Sequence, residues 1–172
     1  MTAPVEIATE RFLLRSLAEQ DVTERYFSWL SDEEARKFII SAATNKNLSS
    51  LKAYVLDRVG RKDILFLGIF DRANGLHIGN IKYEPVNLVE GYAVMGVLIG
   101  DPAYRGKGVA AEVLRASAGW LKDHRNTRQI LLGVSKENHV AIRAYQQVGF
   151  VVAETSHTYR SAPDAITMAW HL

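Results

Sequence analysis

Asp101-Pro102-Ala103-Tyr104-Arg105-Gly106-Lys107-Gly108-Val109-Ala110 is the segment of this 172-residue chain that constrains its fold most tightly. The nearly all-apolar run Tyr92 to Gly100 ends where it begins, as a central strand covered on both faces would. A helical period starts where it ends: Val109, Val113, Ala116 and Trp120 share one face, with Ala110, Leu114 and Leu121 beside them. The order is therefore strand, short turn, glycine-rich start, helix. The first amides of a helix have no intrahelical partners, and the macrodipole places partial positive charge there. Glycines let a phosphate approach such a backbone, and Arg105 and Lys107 add formal charge, so the turn reads as an anion site.

Three phosphate-binding patterns compete for these residues. The P-loop spacing fails, because Gly100 to Gly106 is one residue too long and Gly108 stands where a magnesium-binding hydroxyl belongs. Gly106-Lys107-Gly108-Val109-Ala110-Ala111 matches the dinucleotide pattern, but the strand ends about five residues too early and no acidic residue ends the next strand. Arg105, Gly108 and Ala110 fit a third pattern, Gln/Arg-x-x-Gly-x-Gly/Ala. Downstream, Asn138-His139-Val140-Ala141-Ile142-Arg143-Ala144-Tyr145-Gln146-Gln147-Val148-Gly149-Phe150 supplies its second half. Asn138 and Tyr145 are two helical turns apart, so both face one side, about 10 Å apart along the axis. With both halves in order, the chain resembles the GNAT N-acetyltransferases. Thr9 to Arg15, the Tyr26/Trp29-Leu30 pattern and His77-Ile78-Gly79-Asn80-Ile81 resemble the RimJ/RimL-like branch.

Working outward, Phe12 to Arg15 reads as a first strand. Short helices follow, around Tyr26, Trp29 and Leu30 and then from a Ser49-Ser50 cap through Leu51, Tyr54, Val55 and Val59 to Gly60. Ile64 to Phe70 and His77 to Glu84 form a hairpin about Asp71 to Gly75. Gln129 to Val134 is a strand, Val140 to Val148 a helix, Phe150 to Glu154 a strand, and Ala162-Pro163-Asp164 turns into a last strand, Ala165 to Trp170. The expected architecture is one α/β domain spanning residues 1–172 with the GNAT fold. It has a mixed, mostly antiparallel central sheet, helices on both faces and a splayed central strand pair.

Composition narrows the function classes. Lys+Arg at 21 against Asp+Glu at 19 gives only +2, too little to argue for nucleic acid. No cysteine is present, which excludes disulfides, thiolate metal sites and a cysteine nucleophile. No apolar run approaches the ~20 residues that span a bilayer. A cytoplasmic protein without membrane or metal is expected, with a homodimer left open.

The resemblance implies acetyl-CoA as co-substrate and a primary amine as acceptor: a small molecule, amino sugar, polyamine or peptide N-terminus. It places pantetheine along the backbone of Leu98, Ile99 and Gly100, with the Leu98 amide on the thioester oxyanion. The pyrophosphate falls on Arg105, Gly106, Lys107, Gly108, Val109 and Ala110. Asn138 holds the pantetheine arm, and Tyr145 is either the acid for the departing thiolate or a hydrogen bond that positions the sulfur. Family members acting on peptide N-termini often carry a Glu where this chain has Gly133. The base is therefore open among Glu84, His77 and a water relay. Tyr26, Trp29 and Tyr92 are candidate linings of the acceptor pocket. A non-catalytic acyl-CoA-binding protein on the same fold is the competing function class.

Overall fold

The computed structural model describes residues 1–31, 47–154 and 164–172. Its strands are β1 (Glu6–Ala8), β2 (Phe12–Ser16), β3 (Leu65–Asp71), β4 (His77–Asn87), β5 (Tyr92–Ile99), β6 (Gln129–Ser135), β7 (Val151–Val152) and β8 (Ala165–His171). Its helices are α1 (Glu24–Ser31), α2 (Leu48–Arg58), α3 (Val109–Arg125) and α4 (His139–Val148). The strands form one sheet in the order β1-β2-β3-β4-β5-β6-β8-β7, antiparallel except for the β5–β6 pair. The expected Ala162-Pro163 turn lies outside the described residues.

Alternation along the strands creates two apolar layers. Leu65, Leu67 and Ile69 of β3 join Ile81, Met95, Val113, Leu121 and Phe150 on the α3–α4 face. Ile64, Phe66 and Phe70 join Tyr26, Trp29, Leu51 and Val55 on the α1–α2 face. The buried side of α3 is Val109, Val113, Leu114, Ser117, Ala118 and Leu121, so the face centres near Ser117, and Ala116 and Trp120 fall on its margin. The polar Ser117 is buried because its hydroxyl meets that of Tyr83 at 2.8 Å and donates to Val113 O at 2.6 Å.

Two local readings change. Asn47, not Ser49 or Ser50, caps α2: its Oδ1 accepts from Ser50 N at 2.8 Å, and Ser50 Oγ accepts from Asn47 N at 3.2 Å. β1 has no counterpart in the sequence expectation. Its three residues pair with Leu13, Leu14 and Arg15 and are too few to show a period.

Candidate active site

The parallel β5–β6 pairing lasts three residues, ending at Val94 opposite Leu131. β5 and β6 both continue, so the strands part at the centre of the sheet. Burial changes at the same point: Ala93, Val94 and Met95 are buried, whereas Gly96 is exposed and Val97, Leu98 and Ile99 are only half-buried. On its other side β5 stays paired to β4, with Val97 opposite Ile81 and Ile99 opposite Gly79. One edge of Met95 to Ile99 thus carries backbone groups without a β6 partner, as a strand-like ligand requires.

The register decides which groups those are. Gly100 N–H donates to Ile78 O at 2.9 Å, on the β4 side, while Gly91 O accepts from Gln129 N at 3.2 Å, on the β6 side. Backbone polarity alternates along a regular strand, and β5 is regular from Met95 to Ile99. Both ends therefore turn the Leu98 amide toward β4 and the amides of Val97 and Ile99 toward the gap. The Leu98 amide, expected at the oxyanion, is thus turned toward β4, because register and not sequence position aims an amide.

β5 runs straight into the glycine turn. Asp101 Oδ1 accepts from Ala103 N at 2.9 Å and caps the single turn Pro102–Tyr104, and Asp101 Oδ2 accepts from Arg25 Nη2 at 2.7 Å. Arg25 also donates to His77 O, tying α1 to β4 and to this turn. Gly106 and Gly108 have φ of +70° and +74°, which side chains other than glycine rarely adopt. Both are exposed, and among the described residues no atom beyond its chain neighbours lies within 4 Å of where a Gly106 Cβ would sit. Gly108 precedes α3 with no side-chain cap, and Glu112 N–H bonds back to Gly108 O at 3.2 Å. The amides of Val109, Ala110 and Ala111 stand ahead of that ladder, so donors and dipole converge on open space. Lys107 is exposed beside them. Arg105 also fastens the end of β5: its Nε donates to Ile99 O at 2.9 Å and its Nη2 to Gly100 O at 3.3 Å.

Tyr145 lies on α4, which leaves β6 on the far side of the gap. Its ring packs against Phe150 at 5.7 Å, and burial pushes its phenol up to about 12. No hydrogen bond engages its hydroxyl among the described residues. Asn138 caps α4, its Oδ1 accepting from Ala141 N at 3.3 Å. A role toward a ligand would therefore fall to its amide nitrogen.

The candidate bases fare poorly. Burial alone would raise the Glu84 carboxyl, but Lys82 Nζ and Arg58 Nε, each at 3.0 Å, outweigh it and hold the group below its ordinary range. Such a carboxylate is a weak base. Burial holds the His77 imidazole below its usual value, although a 2.8 Å contact between Nε2 and Asn80 Oδ1 opposes this. Phe70 stacks on the ring at 4.7 Å, and Trp29 and Tyr26 meet it edge-on at 5.0 and 5.6 Å. His77 is thus packed in an aromatic box away from the gap. Tyr26 and Trp29 are buried core, and Trp29 lies so close under Gly100 that a Cβ there would meet its ring at 2.0 Å. They back the turn and do not line an open pocket. Tyr92 sits at the other end of β5, opposite Gln129, where the strands are still paired. Sequence reasoning missed the Arg25–Asp101 tie and the Lys82–Glu84–Arg58 cluster, for which no local signal exists.

A mixed sheet whose central parallel pair opens onto a glycine turn at a helix start is the architecture of the GNAT proteins. The chain belongs to the GNAT acetyltransferase family, since residues 11–151 match the acetyltransferase (GNAT) domain. It is 33% identical over 97 residues to a mycothiol acetyltransferase of Corynebacterium glutamicum (strain R), covering 56% of this chain and 31% of that protein. The chain thus spans about a third of the length of the curated relatives it matches. Among solved structures, a GNAT-family acetyltransferase from Bacillus anthracis superposes with a TM-score of 0.79 at 18% identity, covering 97% of this chain and 98% of that one. RimL, a ribosomal L7/L12 alpha-N-protein acetyltransferase in complex with coenzyme A, superposes with a TM-score of 0.83 at 13% identity over 98% of each chain. These likenesses show the fold.

Proposed function

We propose that this chain is an acetyl-CoA-dependent N-acetyltransferase of the RimJ/RimL-like branch, acting as a single domain on a primary amine. One observation carries the reading: the unpaired edge of β5 leads without interruption into the Gly106–Gly108 turn. An acyl-pantetheine arm can lie along Val97 and Ile99 as an added strand while its pyrophosphate meets the amides of Val109, Ala110 and Ala111. The coenzyme A held by RimL, a protein of the same fold, supports this choice of ligand.

In the proposed step an uncharged amine attacks the thioester carbon, the carbon–sulfur bond breaks and the amide forms within one ternary complex. The gap-facing Val97 amide stabilises the oxyanion. Tyr145 donates its hydroxyl hydrogen to the sulfur as negative charge develops there. The proton shed by the amine returns through water, so the phenol ends as it began. A phenol at about 12 holds its proton more tightly than a coenzyme A thiol, with its pKa of roughly 8.5. Donation and return are therefore coupled, and Tyr145 acts first as a hydrogen-bond donor. Water serves as the proton route, given the weak basicity of Glu84 and the enclosure of His77.

The test is thiol release from acetyl-CoA with a panel of polyamines, amino sugars, amino acids and short peptides, run beside calorimetry of acetyl-CoA binding. Release with at least one amine is expected. Tight binding with no release from any acceptor would leave the acyl-CoA-binding reading in its place.

A further inference from the structure

The last paired residues on the α1–α2 face of the opening strands are Val94 and Leu131. Two residues further on, the same face carries Gly96 on β5 and Gly133 on β6. Two glycines thus stand where the strands begin to part. Gly96 is exposed although its strand is central, and a Cβ built on it meets no atom within 4 Å among the described residues. Among the described residues, the floor at Gly96 is bare backbone.

Lys82 on β4 is the direct partner of Gly96, so its side chain rises from the same face. The ammonium lies 5.0 Å from the centre of the Tyr54 ring and 5.9 Å from that of Phe66, and it meets the Tyr54 hydroxyl and, at 3.0 Å, Glu84 Oε2. The same Glu84 oxygen accepts from Arg58 Nε at 3.0 Å, and the Arg58 guanidinium lies 3.7 Å from the centre of the Tyr54 ring. Two cations therefore share one carboxylate beside the glycine floor. Asp57 is 3.6 Å from Arg58 but 67% exposed, on the solvent side, where it also meets Arg61 at 3.8 Å. Among the described residues, Lys82, Arg58 and Glu84 together carry net positive charge, and Lys82 keeps a quarter of its surface accessible.

We infer that the acceptor amine carries an anionic group, a carboxylate or a phosphate, which Lys82 with Arg58 behind it receives over the Gly96–Gly133 floor. This rests on the acetyltransferase reading. Gly96 adjoins Val97, whose amide faces the thioester, and Lys82 is one strand away, about 4.8 Å. An acceptor of this class would set its amine at the thioester and its anion at the lysine. A polyamine would instead bring a second cation toward Lys82 and Arg58, which repel it.

Matched acceptor pairs test this by thiol release: tyrosine with tyramine, histidine with histamine, ornithine with putrescine, and glucosamine 6-phosphate with glucosamine. The anionic member of at least one pair should have the higher kcat/KM by about 10–100-fold, the range for one charge-assisted hydrogen bond. The carboxylate and phosphate pairs show which anion is taken. Lys82→Met should bring that ratio toward one through KM of the anionic member, and Lys82→Arg should restore most of it. Preference for the members without the anion, or an unchanged ratio in Lys82→Met, overturns the inference and leaves the transferase reading standing. No release with any pair or with the wider panel that includes short peptides, from folded protein that binds acetyl-CoA, overturns both.

Discussion

Tyr145 shows how one residue's surroundings change the chemistry its type suggests. An ordinary phenol ionises near pH 10. Burial here raises that to about 12, so the hydroxyl keeps its proton across the whole working range of an enzyme. Tyr145→Phe should lower kcat by about 10²–10⁴-fold with little change in KM for acetyl-CoA. Because the Tyr145 phenol is pushed up to about 12, the two pH–rate profiles should run parallel from pH 6 to 10. A wild-type alkaline decline near pH 10 that vanishes in the variant would contradict the raised, protonated phenol. Glu84 makes the opposite case. Lys82 and Arg58 lower its pKa, so its contribution to stability is present above the ordinary carboxylate range and is lost as pH falls through the depressed value. Glu84→Gln should change kcat by less than about tenfold, against the 10²–10⁴ of a general base. It should also flatten the acid side of a melting-temperature profile. A hundredfold loss of kcat with an altered acid limb would return Glu84 to the role of base.

At the scale of elements, the β5–turn–α3 unit joins two binding surfaces, and its glycines make the join possible. Gly108 at φ +74° is both a backbone requirement and an opening, since among the described residues only Arg11 Nη2, at 3.9 Å, approaches the site of a Cβ there. Gly108→Val adds conformational strain and fills the approach to the Val109–Ala111 amides. Calorimetry should show acetyl-CoA affinity reduced at least about tenfold, with the helix itself still formed by circular dichroism. Unchanged affinity would place the ligand elsewhere. Arg105→Ala should be milder, because the amides and the dipole remain. Its loss should act mainly through the end of β5, whose Ile99 and Gly100 carbonyls it holds.

Over the whole molecule, the two apolar layers do different work. Trp29 belongs to the α1–α2 layer yet lies directly under Gly100, so that layer supports the floor of the turn. Leu121 is equally buried in the other layer, three helical turns along α3 from Val109. Trp29→Ala should cost about 3–5 kcal/mol and Leu121→Ala about 2–5 kcal/mol in urea titrations. Only Trp29→Ala should also weaken acetyl-CoA binding, measured at a temperature where both variants are folded. Equal effects on affinity would mean that stability in general, and not the backing of the turn, is what the site needs.

The sequence alone determined the family, the order of the elements from β2 onward and the position of the turn. These depend on short-range rules: a glycine needed at positive φ, unpaired amides at a helix start, and a fixed two-turn spacing from Asn138 to Tyr145. Tertiary structure decided what each residue faces. Strand register, set by Gly100 against Ile78, turned Leu98 to β4 and offered Val97 and Ile99 to the gap. Packing across the sheet put Trp29 and Tyr26 in the core and left Tyr92 at the closed end of β5. It also brought Arg58 and Lys82, 24 residues apart in sequence, onto the single carboxylate of Glu84. Such contacts arise between segments whose separation in the chain carries no local signal, because burial and hydrogen-bond pairing are satisfied only once the distant strands and helices have met.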